Sequence, residues 1–178
     1  MHTKESLAEL IAREGNEHQE IYQGLQIYMH RPFPDESAHW CGYVGIPLTH
    51  PLAQIDACGR SPLDEEMYDV ITAHGGISFS STWDQFTNLW FFGFDCAHSG
   101  DYAFYEKAQP GYYRDKAYVL NECHALADQL IEYERTFITK RLMQVERILA
   151  DLLNNPQIKS ALRFHIFGAT AAIHEALK

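Results

Sequence analysis

His74-Gly75-Gly76-Ile77-Ser78-Phe79-Ser80, followed by Trp90-Phe91-Phe92-Gly93-Phe94-Asp95-Cys96-Ala97-His98-Ser99-Gly100-Asp101, is the stretch whose reading decides the fold. Met67 to Ala73 is rich in strand formers, Gly75-Gly76 is a two-residue hairpin signal, and Ile77 to Trp83 alternates. Asp84 to Asn88 turns the chain again into Leu89 to Asp95, which predicts a three-stranded antiparallel meander. A two-residue turn sets His74 opposite Ile77, and Trp83 opposite Leu89 sets Ile77 opposite Asp95. Opposed residues share a face, so His74 and Asp95 are expected roughly 10 Å apart at one sheet end, two strand spacings of about 4.8 Å. On that face follow Thr72, Val70 and Tyr68 on the first strand, Phe79, Ser81 and Trp83 on the second, and Gly93, Phe91 and Leu89 on the third. Gly93 then leaves room for a ligand or another backbone.

Further toward the N-terminus, Glu5 to Glu14 reads as an amphipathic helix ended by Gly15-Asn16. Gly24 to His30 and Trp40 to Ile46 read as strands, and Pro47 to Asp64 as a long irregular loop. Beyond the meander, Tyr102 to Arg114 reads as a loop packed on the sheet. Three apolar stripes at helical spacing follow: Asp115 to about Arg135, Ile138 to Leu152, and Ile158 to Leu177. Asn154-Asn155-Pro156 separates the last two into an αα-hairpin. The expected fold is therefore α+β: an antiparallel sheet, made of the meander plus one or two N-terminal strands, packed with helices and extended by a C-terminal helical hairpin. The expected division is a core domain over 1–135 and a packing or oligomerisation extension over 136–178, which allows a homodimer through the C-terminal helices.

The 178 residues are one domain's length, and 46% apolar content with 13% aromatics predicts a packed core. A formal net charge of −10 disfavours nucleic-acid polymers and anionic membrane surfaces. Cys41, Cys58, Cys96 and Cys123 form no C-x-x-C pair and read as reduced thiols of a cytoplasmic protein. Neither a signal peptide nor a run of 18 apolar residues is expected from the sequence.

Candidate site residues follow from the clustering. His74, Asp95, His98 and Asp101 are the candidates for acid-base work and, with His39 or His50 as outer possibilities, have side chains that could bind a divalent metal, His74, Asp95 and His98 foremost. No H-E-x-x-H, P-loop or dinucleotide fingerprint is present, so no cofactor is indicated and an enzyme is disfavoured. Ser78 and Ser80 fall on the face opposite His74 in this register, which disfavours a Ser/His/Asp hydrolase. For ligand binding the candidates are His74, Gly75, Gly76, Asp95 and His98 at the rim, with Phe79, Gly93, Trp40 and Tyr43 as floor or stacking groups. Taken singly, each has a plain structural role as turn, cap or core residue.

Cys41-Gly42-Tyr43-Val44-Gly45-Ile46-Pro47 with His50-Pro51-Leu52, then His74 to Phe79, then Gly93 to Asp101, resembles a widespread family of small phage and prophage proteins to which no activity is assigned. The resemblance covers roughly Trp40 to Leu130. The family pattern often has Thr-Tyr where this chain has Ser78-Phe79, a loss of one hydroxyl, and the hairpin from about Thr136 looks like an addition. A phage origin implies a counter-defence role in the bacterial cytoplasm: sequestering a small polar, nucleotide-like messenger of host immunity. The alternatives are a metal-dependent or His/Asp hydrolase of such a nucleotide, and an inhibitor that binds a host protein through the C-terminal helices.

Overall fold

The computed structural model describes residues 7–33, 39–55, 70–103, 111–158 and 160–177. It is an α+β fold. Helix α1 spans Leu7–Glu14, and strands β1 (Glu17–Tyr22), β2 (Leu25–His30), β3 (Cys41–Pro47), β4 (Phe79–Trp83) and β5 (Phe86–Asp95) make one antiparallel sheet in the order β1-β2-β3-β5-β4. Helices α2 (Lys116–Asn154) and α3 (Ser160–Ala176) complete the described chain. None of the helices is long and apolar enough to cross a membrane among the described residues.

The period-two register holds where it matters most. Phe79 pairs with Gly93, Ser80 with Phe92, Ser81 with Phe91 and Thr82 with Trp90, as a Trp83/Leu89 opposition predicts. The turn itself is tighter: Trp83 pairs with Phe86 around Asp84-Gln85, and the surplus residues go into an irregularity where Asn88 takes φ +62°.

Two expectations are corrected. The meander has no first strand over 70–73, and Met67, Tyr68 and Asp69 lie outside the described residues. Thr72 is held by α2 instead: its amide donates to Gln129 Oε1 at 2.8 Å, and Gln129 Nε2 donates back to the Thr72 carbonyl at 3.0 Å. Those bonds satisfy a backbone that a sheet ladder would otherwise have paired. The place of the missing strand in the sheet count goes to β1, whose sequence EHQEIY carries little apolar alternation. Its signal was the Gln23-Gly24 turn, with φ of 48° and 87°, which joins β1 to β2 with Tyr22 opposite Leu25.

Face sharing then sorts the core. Ile27, Met29, Val44, Ile46, Phe92 and Phe94 are buried on one sheet face, as are Val119, Cys123, Leu126 and Leu130 of α2. The helix lies so close that a Cβ on Gly42 would sit 2.6 Å from Cys123 Sγ and 2.7 Å from the Phe94 ring. Tyr28, Cys41, Tyr43 and Phe91 form the other face's cluster, with Phe79, Trp83, Phe86 and Leu89 half-buried against it. Tyr43 meets Phe79 edge to face at 5.3 Å and Trp83 at 4.8 Å.

The helical stripes Asp115 to Arg135 and Ile138 to Leu152 belong to one uninterrupted helix rather than two, since no Gly or Pro separates them. By internal contacts the chain forms two compact units, Met1–Ile131 and Glu132–Lys178. Within the second, Ile166 is buried, while Ile138, Val145, Ile148, Phe164 and Phe167 are exposed.

Candidate functional site

The loop from Asp95 to Asp101 builds the site. Asp95 ends β5 and turns the chain, its Oδ1 accepting from the Ala97 amide at 3.1 Å and its Oδ2 from the Ser78 hydroxyl at 2.9 Å. The next turn closes with the Asp101 amide donating to the His98 carbonyl at 2.9 Å. In return the His98 amide donates to Asp101 Oδ2 at 3.1 Å. Asp101 thus bonds within its own turn.

His74 reaches into this turn. Its Nε2 lies 2.7 Å from Asp101 Oδ2, and its Nδ1 lies 3.0 Å from the Tyr118 hydroxyl. Arg114 Nε donates to Asp101 Oδ1 at 3.0 Å, and its guanidinium stacks 4.7 Å from the Tyr118 ring. Asp115 supplies the helix N-cap that brings Tyr118 there, accepting from the Tyr118 amide at 2.8 Å. Burial alone would raise the Asp101 carboxyl; the hydrogen bonds from His74, Arg114 and the His98 amide outweigh it and hold the group below its ordinary range. Asp101 is therefore an anchored carboxylate with only 2% of its side chain exposed.

His98 is differently placed. Its Nδ1 is buried without a hydrogen-bond partner among the described residues, 3.6 Å from Asp95 Oδ1 and 3.9 Å from Asp101 Oδ2. The ring lies over Gly75, where any Cβ would collide with it, and 5.8 Å from the His74 ring. Gly75 and Gly76 take φ +68° and +96°, a region that favours glycine, and a Cβ on Gly75 would in addition collide with the His98 ring.

The cluster pairs its members differently from the sequence expectation. His74 is expected on the face of Asp95 through a strand over 67–73; 70–73 is not a strand, and His74 contacts Asp101 and Tyr118 of α2. Ser78, expected on the face away from His74, bonds Asp95. His74, His98 and Asp101 each offer a ligand atom within 4.8 Å of the others, whereas Asp95, an expected metal candidate, falls outside that group.

Several candidates serve the core. Trp40 is fully buried, donates to Glu14 Oε2 at 2.9 Å and lies 4.3 Å beneath the Arg31 guanidinium. Gly93 leaves room for the Tyr43 ring, not for a ligand, and Tyr43 is itself buried. His39 is buried, with burial lowering its pKa, and His50 bonds the Leu130 carbonyl at 3.1 Å and accepts from the Leu52 amide. Of the aromatic groups, Phe79 remains half-buried at the sheet surface. Sequence reasoning missed Tyr118 and Arg114. Their signal was the Asp115 N-cap, which places Tyr118 in the first turn of the helix and Arg114 just before it.

Comparison with known proteins finds no matching family model, no matching curated protein and no matching solved structure.

Proposed function

We propose that the protein binds and sequesters a small polar, nucleotide-like ligand at the sheet end formed by Asp95, Ser78, His98 and the Gly75-Gly76 turn. One observation carries this reading: the register that pairs Phe79 with Gly93 and Cys41 with Asp95 aligns a half-buried aromatic ring with a carboxylate beside His98. A planar base stacks on the ring, while hydroxyl or amino donors go to Asp95, which has about a third of its side chain exposed (32%). Asp101 already accepts hydrogen bonds from Arg114 and the His98 amide and contacts His74, so toward a nucleotide it orients rather than recognises. The resemblance to phage and prophage proteins directs the choice of ligand to the nucleotide messengers of bacterial immunity, with the bacterial cytoplasm as the setting.

A hydrolase reading has its own support in the His74–Asp101 contact at 2.7 Å. Both nitrogens of His74 are engaged, so His98 would move the proton. The deciding experiment incubates purified protein with cyclic nucleotides and ADP-ribose-type messengers, denatures it, and identifies what is recovered by mass spectrometry. Sequestration predicts a ligand depleted from solution and recovered intact, with affinity lowered by His98→Ala and by Asp95→Asn. Conversion to product, abolished by Asp95→Asn, would replace sequestration with catalysis. If deletion of 136–178 abolishes function while the site variants do not, the helical hairpin binds a host protein instead.

A further inference from the structure

We propose that His74, His98 and Asp101 bind a divalent first-row transition-metal ion, with zinc the natural probe. The three ligand atoms converge from three directions: His74 from the glycine turn, His98 from the loop after β5, and Asp101 from the end of that loop. Two ligands about 2.0–2.2 Å from one ion stand roughly 3–3.6 Å apart. The separations already present, 2.7 Å for His74 Nε2 to Asp101 Oδ2 and 3.9 Å for His98 Nδ1 to Asp101 Oδ2, bracket that range. The third pair, His74 and His98, offers ligand atoms within 4.8 Å of each other.

Three independent features favour an ion over a plain hydrogen-bonded cluster. His98 Nδ1 is buried with no hydrogen-bond partner among the described residues, which is uncommon for a buried polar atom. Each of the other two ligands is held from behind, His74 through Nδ1 by the Tyr118 hydroxyl and Asp101 through Oδ1 by Arg114. His74 Nε2 and Asp101 Oδ2 then face each other at 2.7 Å, with Oδ2 also accepting from the His98 amide, and outer partners of this kind fix the orientation of metal-binding side chains. Two imidazoles and one carboxylate suit zinc, iron or manganese and leave coordination positions open. Arg114 beside Asp101 opposes the added positive charge, so the site holds its ion more weakly than a closed four-ligand structural site.

The inference does not rest on the nucleotide reading, because the metal is measured without any nucleotide. The full chain is stripped with chelator, and Zn²⁺ binding is followed by titration calorimetry and Co²⁺ binding by its visible absorption. The expected result is one equivalent of metal, with affinity reduced at least tenfold in His98→Ala and in Asp101→Asn and about tenfold in Tyr118→Phe. His124→Ala, which alters the separate cluster of Glu20, His18 and His124, should leave that equivalent in place. Near-UV circular dichroism confirms that each variant is folded. His98→Ala, whose side chain is 35% exposed, is the variant the fold tolerates best. No stoichiometric metal, or binding unchanged by His98→Ala, or binding lost only in His124→Ala, overturns the proposal.

Discussion

Gly75 shows how one missing side chain positions another. A methyl there meets the His98 imidazole and must adopt φ +68°, so Gly75→Ala is expected to expel His98 from its position over the turn. The expected cost is about 1–2 kcal/mol of stability, with loss of whatever the site binds, checked by denaturant titration and binding on the same sample. The cysteines give a second residue-scale outcome. Burial pushes the Cys41 thiol up to about 12 and the Cys96 and Cys123 thiols higher still. All three should resist iodoacetamide at pH 8 in the native protein and react once it is unfolded, as read by peptide mass spectrometry. The reading of Cys41, Cys96 and Cys123 as thiols outside any disulfide agrees with their being free and buried, and Cys58 lies outside the described residues.

At the scale of elements, Glu14 fastens the end of α1 to three other segments. Its Oε2 accepts from Arg31 at 2.9 Å, Trp40 at 2.9 Å, Tyr113 at 2.6 Å and the Lys116 amide at 3.2 Å. Burial by itself would raise this carboxyl, but the hydrogen bonds from Arg13 to its Oε1 and from Tyr113, Trp40 and the Lys116 amide prevail and hold it at about 2. Because the folded value lies below the unfolded one, the stabilisation is full above about pH 4.5 and is lost as the pH falls toward 2. It amounts to about 3 kcal/mol, so Glu14→Gln should flatten that part of the stability-versus-pH curve. An unfolding series from pH 7 to pH 3 that stays parallel in wild type and variant would refute this. The close approach of β3 and α2 gives a packing outcome: Gly42→Ala, forced against Cys123 and Phe94, should cost about 1–3 kcal/mol in thermal or denaturant unfolding.

At the scale of the molecule, the sheet, its buried face, Glu14 and the site all fall within Met1–Ile131. A chain ending at Ile131 should keep cooperative unfolding and its aromatic near-UV signal, since Val119, Cys123, Leu126, Ala127 and Leu130 remain to cover the sheet. Its loss of tertiary signal would mean that residues 132–178 complete the core. Sequence alone determined what local periodicity controls. Period two fixed the pairing of Phe79 to Thr82 with Trp90 to Gly93, because a one-residue slip would turn Phe91 and Phe79 to the other face. Period 3.6 fixed the buried stripe of α2, and Asp115 its start. Only the tertiary structure decided how the site is wired. His74 finds Asp101 across 27 positions, and Thr72 finds Gln129 across 57, through segments that carry no repeat. The strand predicted for 70–73 fails there because a helix side chain satisfies its backbone first, and which long-range partner wins depends on the packing of α2, not on any pattern within the segment.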